Sequence, residues 1–568
     1  MRGKILFFII TLIIISASLS WASPNQFVLT TDKARYLPGE MVMLTITKEN
    51  PAAIAKLSIY KLEKEIFSKE IPLNKSGTTQ FQWKTPGDDY QGYLIDVAFE
   101  DGSRQAIAVD VSSDWAKFIR YGFLSKFPKM TEKEMDAVLY RLNRFHINGL
   151  QFYDYHYMHQ QPIKLKQGKP AEKWPDIAGR LNYSKTVQYY IQKSRQYNMK
   201  SMAYNLIYGT WGRGFDLGVN KQWMLYNDKE LTDPKKLDFP DSWEDDIYYM
   251  DPGNIEWQDY LIKNTRQVLD IMKFDGWHID QIGDIRPAYN KDHMNVKLDS
   301  AFNPFLKHIK EELQAPLVMN AVNQYGQSDI ANSNVVEFLY TEVWDPHISF
   351  QDLVNVIRKN DEYSDHKLAT VLAAYMNYEK SDEKGVFNTP GILLTDAVIF
   401  ACGATHLELG EHMLVHEYFP NNNRKMSVEL NGKLVNYYDF MTAYQSVLRN
   451  SREADFLKSI SCKPYPVSTE PEQGKIWISQ RQTNDYQLIH LINFTAMDNM
   501  QWRDPQGTCP EPNLLKNIEL DIQQNIGKVY IMTPDGEDLR PQKIKSDKGK
   551  VIIPSLKYWT TVLIKRNY

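Results

Sequence analysis

The sequence predicts a multidomain protein of α/β and β type. A central (β/α)8 TIM barrel is flanked by an N-terminal immunoglobulin-like β-sandwich and a C-terminal β-sandwich. Three observations predict it. Between residues 112 and 455, short apolar runs that end in polar residues alternate with helix-like stretches, eight times over. On either side, short strand-like runs are separated by Pro, Gly and Asp turns. The 568-residue length accommodates several domains at roughly 150 residues each.

Residues 1–22 read as a signal peptide. Arg2 and Lys4 precede an apolar run over 5–15, and Ser20-Trp21-Ala22 offers a small-x-small cleavage site. The run is shorter than the span of about 20 residues that a membrane helix needs. The alternative is an uncleaved anchor. The expectation is export to the periplasm or beyond, with no membrane association after cleavage.

Residues 23–111 form the expected N-terminal sandwich. The turn Tyr36-Leu37-Pro38-Gly39-Glu40 leads into a strand over 41–47, and further runs follow at 55–60, 80–83 and 93–99. The barrel is expected over 112–455, with strands at 119–124, 147–154, 200–205, 274–280, 317–320, 338–342, 369–375 and 405–408. Helices are expected at 131–145, 184–197, 255–272, 301–313 and 393–402, the first opened by Thr131 with Glu134 three residues on, a capping-box pattern. Residues 456–568 return to strand-like runs, with Asp535-Gly536 as a hairpin signal.

Composition narrows the function. Hydrophobic residues at 43% and charged residues at 24% exclude disordered, collagen-like, coiled-coil and polytopic membrane chains. A net charge of −4 without a long basic run excludes nucleic acid as a partner. No G-x-G-x-x-G follows the first strand, and neither G-x-S-x-G nor H-E-x-x-H occurs. No cofactor and no metal are expected, although His156, His159, Asp154 and Glu408 form an alternative metal set. Of Cys402, Cys462 and Cys509, the first reads as a core residue; whether the other two pair is open.

Two strand-to-helix connections, 157–183 and 206–254, are long. In a barrel they lie on the catalytic face. They carry Trp174, Tyr208, Trp211, Phe215, Trp223, Tyr226 and Trp243, read here as stacking platforms for a polysaccharide; self-packing is the bland alternative.

Barrel enzymes place catalytic groups at the carboxyl ends of strands. The fourth strand ends in Asp280 and the sixth in Glu342, each after apolar residues. Two carboxylates facing one cavity are the minimal apparatus of glycosidic cleavage. Other strand ends offer Asp154, His156, Tyr204, Asn205, Asn320, Tyr375 and Glu408, and His278 and Trp344 flank the two acids; together they are the expected substrate-binding ring.

The run Phe274-Asp275-Gly276-Trp277-His278-Ile279-Asp280-Gln281-Ile282-Gly283-Asp284 resembles the nucleophile segment of glycoside hydrolase family 66, the family of the dextranases and cycloisomaltooligosaccharide glucanotransferases. Tyr340-Thr341-Glu342-Val343-Trp344 resembles its acid/base segment, and Asn148-Gly149-Leu150-Gln151-Phe152-Tyr153-Asp154 its second-strand segment. The domain order is similar too, so the resemblance spans the mature chain. It implies Asp280 as nucleophile, Glu342 as acid/base, retention of configuration, and endo-cleavage of the α-1,6-linked glucan dextran. A monomer is expected separately from the resemblance. The family's transferases carry a large insertion after the seventh strand. The gap from Tyr375 to Thr405 must also hold a helix, leaving no room for one, so the resemblance implies a dextranase rather than a cyclising enzyme. Transglycosylation, a barrel hydrolase of another α-glycoside and a non-catalytic glycan binder are the alternatives.

Overall fold

The computed structural model describes residues 27–48, 54–409, 413–416, 421–457, 461–522 and 527–566. The signal-peptide reading of 1–22 lies outside them. Among the described residues, no helix is long and apolar enough to cross a membrane.

Eight parallel strands form the barrel: Tyr121–Leu124, Gly149–Phe152, Lys200–Leu206, Gly276–Asp280, Leu317–Val322, Leu339–Glu342, Thr370–Ala373, and an eighth running from Thr405–His406 into Glu408–Leu409. The first half of the eighth strand pairs with the seventh, and the second half pairs with the first, which closes the ring. A helix follows each strand: Glu132–Arg144, Ser184–Gln196, Ile255–Met272, Asp299–Leu313, Gln327–Asn332, Phe350–Tyr363, Thr389–Ala401 and Val428–Ala443.

Local sequence accounts for several of these boundaries. Thr131 and Glu134 form the expected capping box, and Ser349 with Asp352 forms a second. The Asn254 side chain accepts from the backbone N–H groups of Glu256 and Trp257, opening the third helix. The helix Thr389–Ala401 is buried along nearly all its length, because it lies between the barrel and the C-terminal strand Tyr486–Asn493.

Strand parity positions the site. Tyr121, Phe123, Val318, Tyr340, Val371 and Leu407 share one buried cluster inside the barrel. Residues of the same parity therefore face inward, and those of opposite parity face the helices.

Before the barrel, the three-stranded sheet Val28–Thr31, Met41–Thr47, Thr78–Lys84 and the four-stranded sheet Lys64–Pro72, Ile54–Lys61, Gln91–Phe99, Arg104–Val111 share one core, with Leu44, Leu57, Ile95 and Val97 inside. After it, two sheets built on Ile476–Gln482, Tyr486–Asn493, Trp559–Lys565 and on Leu515–Asp521, Lys550–Leu556 enclose another. The N-terminal sheet is tied to the barrel by buried charge. Asp439 takes Arg144 at 2.7 Å, His146 at 2.7 Å and the Ala108 amide at 2.8 Å. Arg120 meets Asp110 with both side chains fully buried. A Cβ on Gly92 would lie 2.1 Å from the Thr442 carbonyl oxygen, so this seam admits only glycine there.

The three cysteines are free. Cys402 is a core residue, as expected.

Candidate active site

Asp280 and Glu342 end the fourth and sixth strands on the inward parity and are partly exposed at the barrel mouth. Between them lies Asn320 of the fifth strand. Its amide nitrogen donates to Asp280 Oδ1 at 2.8 Å and to Glu342 Oε2 at 2.8 Å. Those two oxygens are therefore no more than twice that distance apart. Tyr204 of the third strand donates its hydroxyl to Asp280 Oδ2 at 2.6 Å, and the Gln281 amide donates to Oδ1 at 2.9 Å. Tyr375, just past the seventh strand, donates to Glu342 Oε1 at 2.8 Å, and the Trp344 side chain adds a further hydrogen bond.

The two acids differ electrostatically. Burial raises both above the ordinary carboxyl range. Hydrogen bonds from Tyr204, Asn320 and the Gln281 amide pull Asp280 back toward its ionised form. Burial pushes Glu342 up to about 7, and the neighbouring Asp280 charge adds to the rise. One site thus holds an anchored carboxylate beside a carboxylic acid that keeps its proton near neutral pH.

The second-strand end supplies a polar wall. Asp154 adopts a left-handed backbone (φ 50°) and its carboxylate meets Arg180 at 3.3 Å. Burial lifts it to about 7 against the pull of Arg180. His156 is buried, both ring nitrogens lack hydrogen-bond partners, and burial lowers it to about 3, so it is neutral. Its ring lies 4.5 Å from that of His159 and 6.0 Å from that of Tyr204. His278, two residues below Asp280, is also neutral, lowered to about 3 by burial. It bonds the Tyr121 hydroxyl at 3.2 Å and packs edge-on to Tyr340, making the floor beneath the acids.

Several expectations need correction. Glu408 is not at the mouth. Leu407 takes the inward parity, so Glu408 turns outward to Asp396 and Tyr438 in the helix layer. The combination of His156, His159, Asp154 and Glu408 therefore does not assemble. Asn205 also faces outward. It spends its amide on the His159 carbonyl and its oxygen on the Leu206 amide, holding a loop rather than a ligand. Tyr204, Asn320 and Tyr375 are in place, but their polar atoms grip the two carboxylates.

The long loops are not a row of platforms. Trp174, Tyr208, Trp211 and Trp223 are buried, and Phe215, Tyr226 and Trp243 pack partly buried against the same cores. Small sheets such as Gly209–Trp211 with Ile247–Tyr249 and Lys236–Leu237 organise the loop after the third strand. At the mouth, Trp344 lies 4.9 Å from Tyr375, with the Arg503 guanidinium 4.9 Å above its ring. Arg503 also donates to the Val343 carbonyl at 3.1 Å. It comes from the C-terminal region, and no local pattern marks it. Parity counted along the eighth strand would have excluded Glu408.

A protein-family model described as Glycosyl hydrolase family 66 matches residues 31–563. A cycloisomaltooligosaccharide glucanotransferase of Niallia circulans is 26% identical over 95% of this chain and 71% of its own length. A dextranase of Streptococcus salivarius is 22% identical over 86% of this chain and 69% of its own. Among solved structures, a Paenibacillus cycloisomaltooligosaccharide glucanotransferase complexed with cycloisomaltoheptaose superposes with a TM-score of 0.88 at 24% identity, covering 94% of this chain and 99% of that one.

Proposed function

The chain belongs to glycosyl hydrolase family 66, and from that premise we propose that it is an endo-acting, retaining hydrolase of α-1,6-glucosidic linkages in dextran. The observation that carries the reading is the Asn320 nitrogen at 2.8 Å from an oxygen of each acid. It supports a carboxyl separation in the range of about 5–5.5 Å found in retaining pairs, against about 6.5–9.5 Å when a water must fit between.

Asp280, held by Tyr204, Asn320 and the Gln281 amide, attacks the anomeric carbon. Glu342 gives its proton to the glycosidic oxygen as that bond breaks, leaving a glycosyl ester on Asp280. Glu342, now ionised, takes a proton from the incoming water. The water oxygen displaces Asp280, and the sugar leaves with its original configuration. Trp344 and Asp154 are the residues we assign to sugar contacts beside the acids, with buried His156 packed behind Tyr204. We also read residues 23–111 as an immunoglobulin-like domain, 112–455 as the catalytic barrel, 456–568 as a sandwich, and the mature protein as an exported monomer. N-terminal sequencing and light scattering check the last point.

A second reading is transfer, in which a sugar hydroxyl replaces water. The two Niallia circulans transferases, at 26% and 27% identity against 22% for the dextranase, favour it. The segment between the seventh and eighth strands favours hydrolysis, since it holds only the short turn Tyr378–Lys380, the two-residue strand Gly385–Val386 and the helix Thr389–Ala401. Incubation with dextran, beside starch and pullulan, separates the readings. A fast loss of polymer size with linear isomaltooligosaccharides supports hydrolysis. Cyclic or lengthened products support transfer. No release from dextran by folded protein would overturn the linkage assignment.

A further inference from the structure

Behind the eighth strand, outside the barrel lumen, lies a second cluster that the reaction does not use. Asp396 of the helix Thr389–Ala401 and His406 and Glu408 of the eighth strand each offer a ligand atom, and these atoms all lie within 4.8 Å of one another. All three residues are at most 1% exposed.

The proton arithmetic is restrictive. His406 Nε2 lies 2.7 Å from the Ala374 carbonyl oxygen, which only accepts, so Nε2 carries the ring hydrogen. His406 Nδ1 lies 2.9 Å from Asp396 Oδ1, so the ring meets that carboxyl through this nitrogen. Asp396 Oδ2 has no hydrogen-bond partner, and neither Glu408 oxygen has one of good geometry. The Tyr438 hydroxyl is the donor that faces Glu408, and among the groups acting electrostatically on Asp396 and Glu408 there is no lysine or arginine. Acceptors converge in a dry interior, where a bare pair of carboxylates is strongly disfavoured. Positive charge has to enter the cluster, as protons held among the three side chains or as a metal ion.

We propose that Asp396, His406 and Glu408 bind a divalent first-row transition ion of the zinc class. One imidazole and two carboxylates are a ligand set for such an ion and neutralise its charge. The other ring nitrogen of His406 donates to a backbone carbonyl, the outer contact that orients a metal-binding histidine. Ligand atoms around a tetrahedral ion with bonds of about 2.0–2.2 Å stand about 3.4 Å apart, so binding would draw the three side chains closer together. The ion would pin the seventh helix to the eighth strand. Through His406 it would also steady Ala374, next to Tyr375, whose hydroxyl holds Glu342.

The test uses the full chain, unfolded in chelator and refolded with or without zinc, so that slow exchange at a buried site does not mask binding. Elemental analysis after gel filtration should show stoichiometric zinc in the wild type and its loss in Glu408→Gln and Asp396→Asn. Tm should rise with zinc in the wild type and stay unmoved in both variants. Wild-type protein that refolds zinc-free from a zinc solution, with Tm unaffected, would overturn the proposal in favour of a proton shared within the cluster. Zinc retained equally by both variants would overturn it by placing the ion elsewhere. Wild-type retention is read independently of the variants, so a variant that fails to fold leaves the first arm decisive.

Discussion

The barrel mouth and the seam beneath the N-terminal sheet both bury carboxylates, yet they put them to opposite use. Glu342 and Asp280 receive hydrogen bonds from Tyr204, Asn320, Tyr375, Trp344 and an amide, all neutral donors, and burial leaves both raised. Asp439 is buried too, which by itself would raise it. The Arg144 guanidinium, then His146, pull it below the ordinary carboxylate range. Between these two regions burial is shared and the partner's charge differs, so here the partner sets the direction. Neutral partners leave a proton to give. A cationic partner locks the charge and makes the acid a fastener.

Four experiments sharpen or break that contrast. Asp280→Asn should have the largest effect, a fall in kcat of roughly 10⁴-fold or more, with the fold intact because no cationic partner is stranded. Circular dichroism and turnover of dextran measure both; substantial residual turnover would remove Asp280 from the chemistry. Glu342→Gln should lose roughly 10²–10⁴-fold on dextran and recover on a glucoside with a good leaving group, which needs no proton. Without recovery, Glu342 would be a structural acid.

Asp439→Asn should act on stability instead. Leaving Arg144 without its counter-charge costs about 3–5 kcal/mol, read from denaturant midpoints, with kcat unchanged at a permissive temperature. A loss of kcat without a loss of stability would erase the distinction between the two regions. The smallest effect is expected of Tyr375→Phe. Removing a donor that favours ionised Glu342 should move the alkaline limb of kcat/KM, expected near 7, upward by about one unit, with roughly a tenfold lower rate.

The pH dependence of stability has opposite signs in the two places. Glu342 is raised in the folded state, so its contribution is fully present below its unfolded value of about 4.3 and is lost as pH rises toward about 7. Glu342→Gln should therefore raise Tm at pH 8 relative to the wild type. Asp439 is lowered, so its contribution is present above its unfolded value of about 3.9 and is lost as pH falls below that. The seam is where acid unfolding should start.

Much of the architecture was legible in the chain. All eight barrel strands fall where apolar runs end in polar residues, and the helix Ile255–Met272 has the expected bounds. The helices Phe350–Tyr363 and Val428–Ala443 escaped, although Ser349 with Asp352 and Ser427 cap them with recognisable residues. The loop aromatics were misassigned because a tryptophan's sequence position does not reveal whether a loop folds back on it. Trp211 and Trp223 ended in a core shared with the barrel's fourth strand and its third and fourth helices.

By itself the sequence determined the barrel, the strand-end position of Asp280 and Glu342, and their inward parity, because strand periodicity and strand ends are local properties. Only the tertiary structure decided the partners. Asn320 bridges the acids, Arg503 arrives over Trp344 from the C-terminal region, Glu408 turns away from the mouth, and Arg144 joins the Ala108 amide on Asp439. A side chain's pKa and role depend on groups within a few ångströms, and here those groups come from strands, helices and domains far apart in the chain.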